Sequence, residues 1–87
     1  MSLAFHLAAD AVADLRRLEL WLQEEVLDEI DRLCKHPEDV PPPDFDEATS
    51  DYSVVRERNG KLSEVLLRLS RNEARQSLTV LGVIQIV

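Results

Sequence analysis

Apolar residues recur with two different periods in the first half of the chain. Leu3, Phe5 and Leu7 alternate with other residues, which is the two-residue period of a short strand with one buried face. Beyond residue 10 the period changes to steps of three and four, which is typical of an amphipathic helix. The positions in this helical stripe are Val12, Leu15, Leu18, Leu22, Val26, Ile30 and Leu33.

The helical stripe is too long for one helix in a chain of this size. A single helix over residues 11–35 would be about 37 Å long, whereas a globule of this length is about 30 Å across. We therefore expect a break near residues 19–23, although no glycine or proline marks it. Asp10 is the predicted N-cap. His36 and Pro37 are predicted to end the segment, because the residue before a proline avoids helical backbone angles.

The second half of the chain predicts a three-stranded antiparallel meander. Residues 38–50, rich in proline and acids, are typical of an extended connector, and strands are predicted over residues 51–58, 61–70 and 77–87. Asn59 and Gly60 indicate a two-residue type I′ turn, and a second polar turn spans residues 71–75. The last strand is almost continuously apolar, as in a strand at the middle of a sheet or buried on both faces.

These elements predict an α+β fold: a strand, a helical hairpin and the meander, in one domain over residues 1–87, with the first strand completing the sheet. The turn pairs Arg58 with Lys61 and so sorts the hairpin side chains into two faces. The face expected toward the helices carries Tyr52, Val54, Arg56, Arg58, Lys61, Ser63, Val65, Leu67 and Leu69. The open face carries Ser53, Val55, Glu57, Leu62, Glu64, Leu66 and Arg68.

The net charge of the chain is −7, and the charges are unevenly distributed along it. Residues 1–50 hold thirteen acids and four bases, a net charge of −9, whereas residues 51–87 hold four acids and six bases, a net charge of +2. A contact with nucleic acid would therefore have to use the second half. Cys34 is the only cysteine, so no internal disulfide can form. With no signal peptide or long apolar run, we expect a cytoplasmic protein without a membrane contact.

The order of elements resembles the RelE/ParE toxin superfamily of bacterial toxin–antitoxin systems. The resemblance is carried by residues 5–7 followed by 11–18, by residues 26–33 closing with His36 and Pro37, and by residues 52–60 leading into the meander. It implies a β-α-α-β-β-β fold and a small antitoxin partner. In the members that cleave messenger RNA, it also implies a concave sheet face with arginine or lysine on the later strands. This sequence differs there, since residues 62–64 read Leu-Ser-Glu and nothing basic follows Arg75.

The candidate sites are one group of bases and one group of apolar residues. The bases could form a phosphate-binding patch, but interleaved acids favour a solubilising role for Arg56, Arg58, Lys61 and Arg68. The candidate partner-binding residues are Trp21, Val55, Leu62 and Leu66. Tryptophan is enriched at interface hot spots, although Trp21 could instead cap the core under the proline segment.

No residue pattern predicts a cofactor, a metal site or a catalytic dyad. His6, His36 and Cys34 have no activating partner in the sequence. The acids of residues 24–31 are interpreted as a solvated helix face. The acids of residues 39–47 lack the spacing and glycine of a calcium-binding loop.

The leading hypothesis is a toxin-superfamily protein that acts by protein–protein contact, either with an antitoxin or as a homodimer, with weak or absent RNase activity. The alternative is a ribosome-dependent endoribonuclease that uses the sheet bases, although the acidic charge disfavours RNA or the ribosome as partners. A third possibility is a stand-alone structural or regulatory homodimer. Enzymatic activity is therefore left open, with a non-enzymatic role preferred.

Overall fold

A short strand, two helices and a three-stranded meander follow one another along the chain. The computed structural model describes residues 2–43 and 48–87. Strand β1 (Ala4–Leu7) leads into helices α1 (Ala9–Arg16) and α2 (Leu20–Lys35), and a 3₁₀ turn covers Pro37–Asp39. Strands β2 (Ser50–Arg58), β3 (Lys61–Asn72) and β4 (Ser77–Gln85) complete the fold. Residues 44–47 of the predicted connector lie outside the described residues.

The four strands form one mixed sheet in the order β1-β4-β3-β2. β1 pairs with β4 in parallel, and the other two pairs are antiparallel. β4 lies in the middle of the sheet, as its apolar run predicts. The predicted α+β fold, with the first strand completing the sheet, is confirmed.

The hairpin between β2 and β3 has the predicted register. Arg58 pairs with Lys61 across the turn, and Tyr52 lies opposite Leu67. Asn59 and Gly60 have φ angles of 54° and 77°, the left-handed conformation that both central positions of a type I′ turn require. β3 runs to Asn72, which moves the next turn to residues 73–76.

One side of the sheet is covered by α2 and holds the core. The buried α2 side chains include Leu22, Val26, Ile30 and Leu33, and the sheet meets them with Val54, Val65, Leu67, Leu69, Leu78, Val80 and Val83. The assignment of the β2–β3 faces is therefore confirmed. Of the two interpretations of the β4 apolar run, the position in the middle of the sheet is the one observed. The strand is not buried on both faces, since Ile84 is 61% exposed.

The helix break lies at residues 17–19, slightly before the predicted 19–23. Leu18 is only 6% exposed and anchors the turn in the core. The Gln23 side-chain amide donates to the Leu18 carbonyl at 2.8 Å. A buried leucine and a side-chain hydrogen bond thus make a turn that needs neither glycine nor proline.

Two details near the N-terminus differ from the predictions. The N-cap of α1 is Ala8, and Asp10 lies in the first turn, where its charge still favours the positive end of the helix dipole. Phe5 lies opposite the buried Leu78 but remains 41% exposed. β1 is an edge strand, so the core does not fully enclose its side chains.

Candidate functional site

A cluster of charged and polar groups joins α2 to β2. The Glu29 carboxylate is 9% exposed. Its Oε1 atom accepts hydrogen bonds from Arg32 Nη2 at 2.7 Å and from the Tyr52 hydroxyl at 2.5 Å. Its Oε2 atom accepts one from Arg56 Nη2 at 3.2 Å. Both carboxylate oxygens are thereby satisfied, and we call this group the Glu29 cluster: Glu29, Arg32, Tyr52 and Arg56.

The Glu29 cluster changes the acidity of its members. Hydrogen bonding from Arg32, helped by Tyr52 and by the charge of Arg56, holds the pKa of Glu29 at about 2 despite its burial. The same bond to Glu29 raises the pKa of Arg32. Burial, with the bond to Glu29, raises the pKa of the Tyr52 hydroxyl. Glu29 is therefore ionised at neutral pH and unsuited to act as a general acid.

Arg32 extends the cluster to the 3₁₀ turn. Its Nη1 atom donates to Asp39 Oδ2 at 2.8 Å, while its other nitrogens hold Glu29. The guanidinium thus ties α2 to the 3₁₀ turn and, through Tyr52, to β2. This geometry gives the cluster a structural role in holding the helix on the sheet.

The sequence interpretation missed Glu29 by grouping it with the solvated acids. Its position shows a signal that could have identified it. Glu29 follows Leu22 by seven residues and Val26 by three, and precedes Leu33 by four, so it lies on the buried stripe of α2. A charged residue on such a stripe requires a buried partner.

The four candidate bases do not form one patch. Arg56 lies on the helix side within the Glu29 cluster, and its Nε is also 3.8 Å from Glu25 Oε2. Arg58 lies over the Trp21 ring, 5.2 Å from its centroid, and Lys61 follows the turn on that side. Arg68 is on the open face, with its Nε 3.4 Å from Asp51 Oδ1. The structure separates these bases by face, and pairs two of them with carboxylates.

The candidate partner-binding residues are also on two different sides. Trp21 is half-buried beneath Arg58 rather than under the proline segment, and its indole N–H donates to Glu19 Oε2 at 3.0 Å. Val55 and Leu62 lie on the open face and are 46% and 52% exposed. Leu66 is half-buried there, next to Ile84. Ile84 belongs with the apolar group on the open face, although the sequence did not single it out.

Helix α1 turns the open face into a shallow groove. Beyond the end of β1, Asp14 Oδ2 accepts a hydrogen bond from the Val83 backbone N–H at 3.1 Å, which satisfies a donor at the free edge of β4. The groove, of about 430 Å³, lies between α1 and the sheet. Its lining includes Asp10, Ala13 and Asp14 of α1, Arg17 at the C-cap of that helix, and Leu66, Arg68, Gly82 and Ile84 of the sheet.

The remaining polar candidates are not gathered into a reactive site. His36 Nδ1 is 3.4 Å from Glu38 Oε1 at an exposed position. Cys34 is buried, and this burial raises the pKa of its thiol, which keeps it protonated and unreactive.

Within residues 2–43 and 48–87, no group of histidine, cysteine and acidic side chains could hold a metal ion. None of the helices described is long and apolar enough to cross a membrane.

Solved toxin structures share this arrangement of strands and helices. The RelBE2 toxin–antitoxin complex of Mycobacterium tuberculosis contains a chain that superposes with a TM-score of 0.72 at 19% identity, covering 95% of this chain and 96% of that one. The chain has the RelE fold. A free E. coli RelE mutant superposes with a TM-score of 0.71 at 12% identity, over 95% of this chain and 82% of that one.

The intact E. coli RelBE complex gives the same result. Its matching chain has a TM-score of 0.68 at 12% identity, with 94% of both chains covered. No protein-family model and no curated protein matches the sequence. The resemblance to the RelE/ParE superfamily is thus confirmed for the fold.

Proposed function

We propose that this RelE-like chain is a component of a cytoplasmic toxin–antitoxin module that acts through protein contact and cleaves messenger RNA weakly or not at all. The observation that carries the proposal is the engagement of the sheet arginines. Arg56 is held by Glu29, and Arg68 faces Asp51. An arginine that is already paired with a carboxylate offers little net charge to a phosphate or to a developing transition state.

The other charged residues of the hairpin are also badly placed for RNA cleavage. Arg58 stacks on Trp21, and Lys61 is at the tip of the hairpin on the helix side, away from the open face. Glu64 occupies the middle of the open face, opposite Val55. A carboxylate at that position repels the RNA backbone instead of neutralising it.

Protein contact is favoured by the composition of the open face. Val55, Leu62 and Ile84 are each 46–61% exposed on a sheet surface that lies opposite the layer formed by α2. Soluble proteins rarely leave a contiguous apolar patch exposed unless it binds something. The RelBE complexes with the same fold contain an antitoxin, and a small antitoxin is the partner that we propose here.

Induced expression in a bacterial host tests the proposal. We expect messages to remain intact, in contrast to a parallel culture that expresses an active RelE toxin. The variant Asp51→Asn, which removes the carboxylate facing Arg68, shows whether this pairing is what suppresses cleavage. Co-expression with the product of the adjacent gene should yield a complex that copurifies.

The opposite result would support the endoribonuclease alternative. Growth arrest with cleaved messages, abolished by Arg68→Ala, would contradict a role limited to protein contact. Intact messages with no copurifying partner would instead leave only the stand-alone role and would contradict the toxin–antitoxin assignment.

A further inference from the structure

We infer that the open face of the sheet is a docking groove for a basic amphipathic helix of a partner protein. This inference rests on the proposed function, because it names the chemistry of the partner in that protein contact. The shape of the groove, the apolar residues of the open face and the sign of the charge there all fit such a helix.

The apolar floor of this docking surface extends from the groove onto the β2–β3 hairpin and has the dimensions of two helical turns. Val55, Leu62 and Leu66, and Ile84 lie on three adjacent strands, which span about 10 Å at ~4.8 Å per strand spacing. Leu62 and Leu66 are separated by about 13 Å along β3 at ~3.3 Å per residue. An α-helix is about 10 Å wide and rises about 11 Å in two turns. Glu64 lies between Leu62 and Leu66 on the same face of β3. A helix face with an apolar stripe and a basic side chain over Glu64 would therefore cover this floor.

Acids outnumber bases on this surface. Asp10 and Asp14 project from α1, and Asp51, Glu57 and Glu64 lie on the open side of the sheet. The cations on these same surfaces are Arg17 and Arg68, so five carboxylates face two guanidinium groups, a net charge of −3. Arg17 Nη1 is 3.9 Å from Asp14 Oδ1, and Arg68 Nε is 3.4 Å from Asp51 Oδ1. Asp10, Glu57 and Glu64 are the acids left over.

The net negative charge of this surface distinguishes between the partners that could bind there. A second copy of the chain would bring the same negative surface against itself, and the whole chain carries a net charge of −7, so self-association is opposed by repulsion. An RNA backbone would be repelled in the same way. A helix with lysine or arginine beside its apolar stripe gains both apolar burial and complementary charge.

A pair of matched peptides tests the inference on the full chain. Both peptides are about 18 residues long, a length at which helices in water are marginal but form on binding, and both carry one leucine stripe. Lysines flank the stripe in one peptide, and glutamates replace them in the other. Fluorescence anisotropy of labelled peptide should show binding about tenfold or more tighter for the lysine peptide. This preference should weaken as salt rises.

Matched variants connect the binding to the groove. Ile84→Asp places a charge on the apolar floor and should abolish binding of the lysine peptide. Leu20→Asp is the control, since Leu20 is 70% exposed on α2 and lies outside the groove. The double variant Glu57→Lys with Glu64→Lys should reduce or reverse the preference. Thermal unfolding of each variant, followed by circular dichroism, shows that the fold is retained.

Several results would overturn the inference. They are equal binding of the two peptides, binding of neither, or binding that Ile84→Asp leaves intact. A dimer seen by light scattering and dissolved by Ile84→Asp would assign the face to a second copy. Binding of oligouridylate RNA that depends on Arg68 would assign it to RNA.

The peptide experiment and the expression experiment can contradict the two proposals separately. Cleaved messages together with a clear preference for the lysine peptide would remove the proposed function and retain the docking groove. Intact messages and a copurifying antitoxin, with no preference between the peptides, would retain the proposed function and remove the basic helix.

Discussion

The two sides of the sheet carry charge in different ways. On the helix side, Glu29 is nearly buried and each of its oxygens is bonded to a cation or to the Tyr52 hydroxyl. On the open side, Glu57 is exposed and Glu64 is half-buried, and neither takes part in an ion pair of residues 2–43 and 48–87. A buried charge is tolerated only with partners, whereas an exposed charge can stay unbalanced and select a binding partner. One side thus stabilises the fold, and the other is the side that we propose for recognition.

The largest contrast between the two sides should come from two leucines of β3. Leu67 is fully buried on the helix side, and Leu62 is 52% exposed on the open side. Leu67→Ala should lower the free energy of unfolding by about 3 kcal/mol, because it leaves a cavity in the core. Leu62→Ala should change it by less than about 0.5 kcal/mol. Urea denaturation measures both, and equal losses would contradict the assignment of the faces.

Removing the charge of Glu29 should have the next largest effect. Glu29→Gln leaves Arg32 and Arg56 without their shared carboxylate, and we expect a loss of about 2 kcal/mol of unfolding free energy. Asp28→Asn is the matched control, because Asp28 is exposed at the neighbouring position of α2. If the two substitutions cost the same, the Glu29 cluster does not hold α2 on the sheet.

Acid should weaken the helix side through the same residue. The pKa of Glu29 is lowered from an ordinary value of 4.5 to about 2. Its contribution is therefore present above pH 4.5 and is lost as the pH falls toward 2. We expect this contribution to be on the order of 2 kcal/mol. Urea denaturation between these pH values should show a steeper decline for the wild type than for Glu29→Gln, and parallel declines would contradict the prediction.

The smallest effect should come from the Tyr52 hydroxyl. Tyr52→Phe removes a donor to Glu29 and an acceptor for Arg32 but keeps the ring, so we expect a loss of about 1 kcal/mol. Ser53→Ala, at an exposed position of the open face, should have no measurable effect. In combination with Glu29→Gln, the loss from Tyr52→Phe should shrink, since the two groups share one hydrogen bond. Strict additivity would show that they act separately.

Local signals in the sequence predicted most of the fold. Asn59 and Gly60 adopt the turn that their tolerance of positive φ indicates, and this turn sets the faces of the hairpin before any tertiary contact is considered. The break between the helices lies slightly before the predicted position, because the buried Leu18 and the Gln23 side chain create it. Neither feature has the plain local signature that a glycine or a proline has.

Neighbouring positions along the chain are enough to predict the period of each element and the hairpin register, and the excess of acids follows from composition. The use of each charge depends instead on the tertiary fold. It brought Glu29 to Tyr52 and Arg56 across more than twenty residues, and it placed α1 beside the free edge of β4 as a wall of the groove. Pairing of charges depends on distances in space, and the same arginine is a phosphate ligand or a structural partner according to which carboxylate the fold puts beside it.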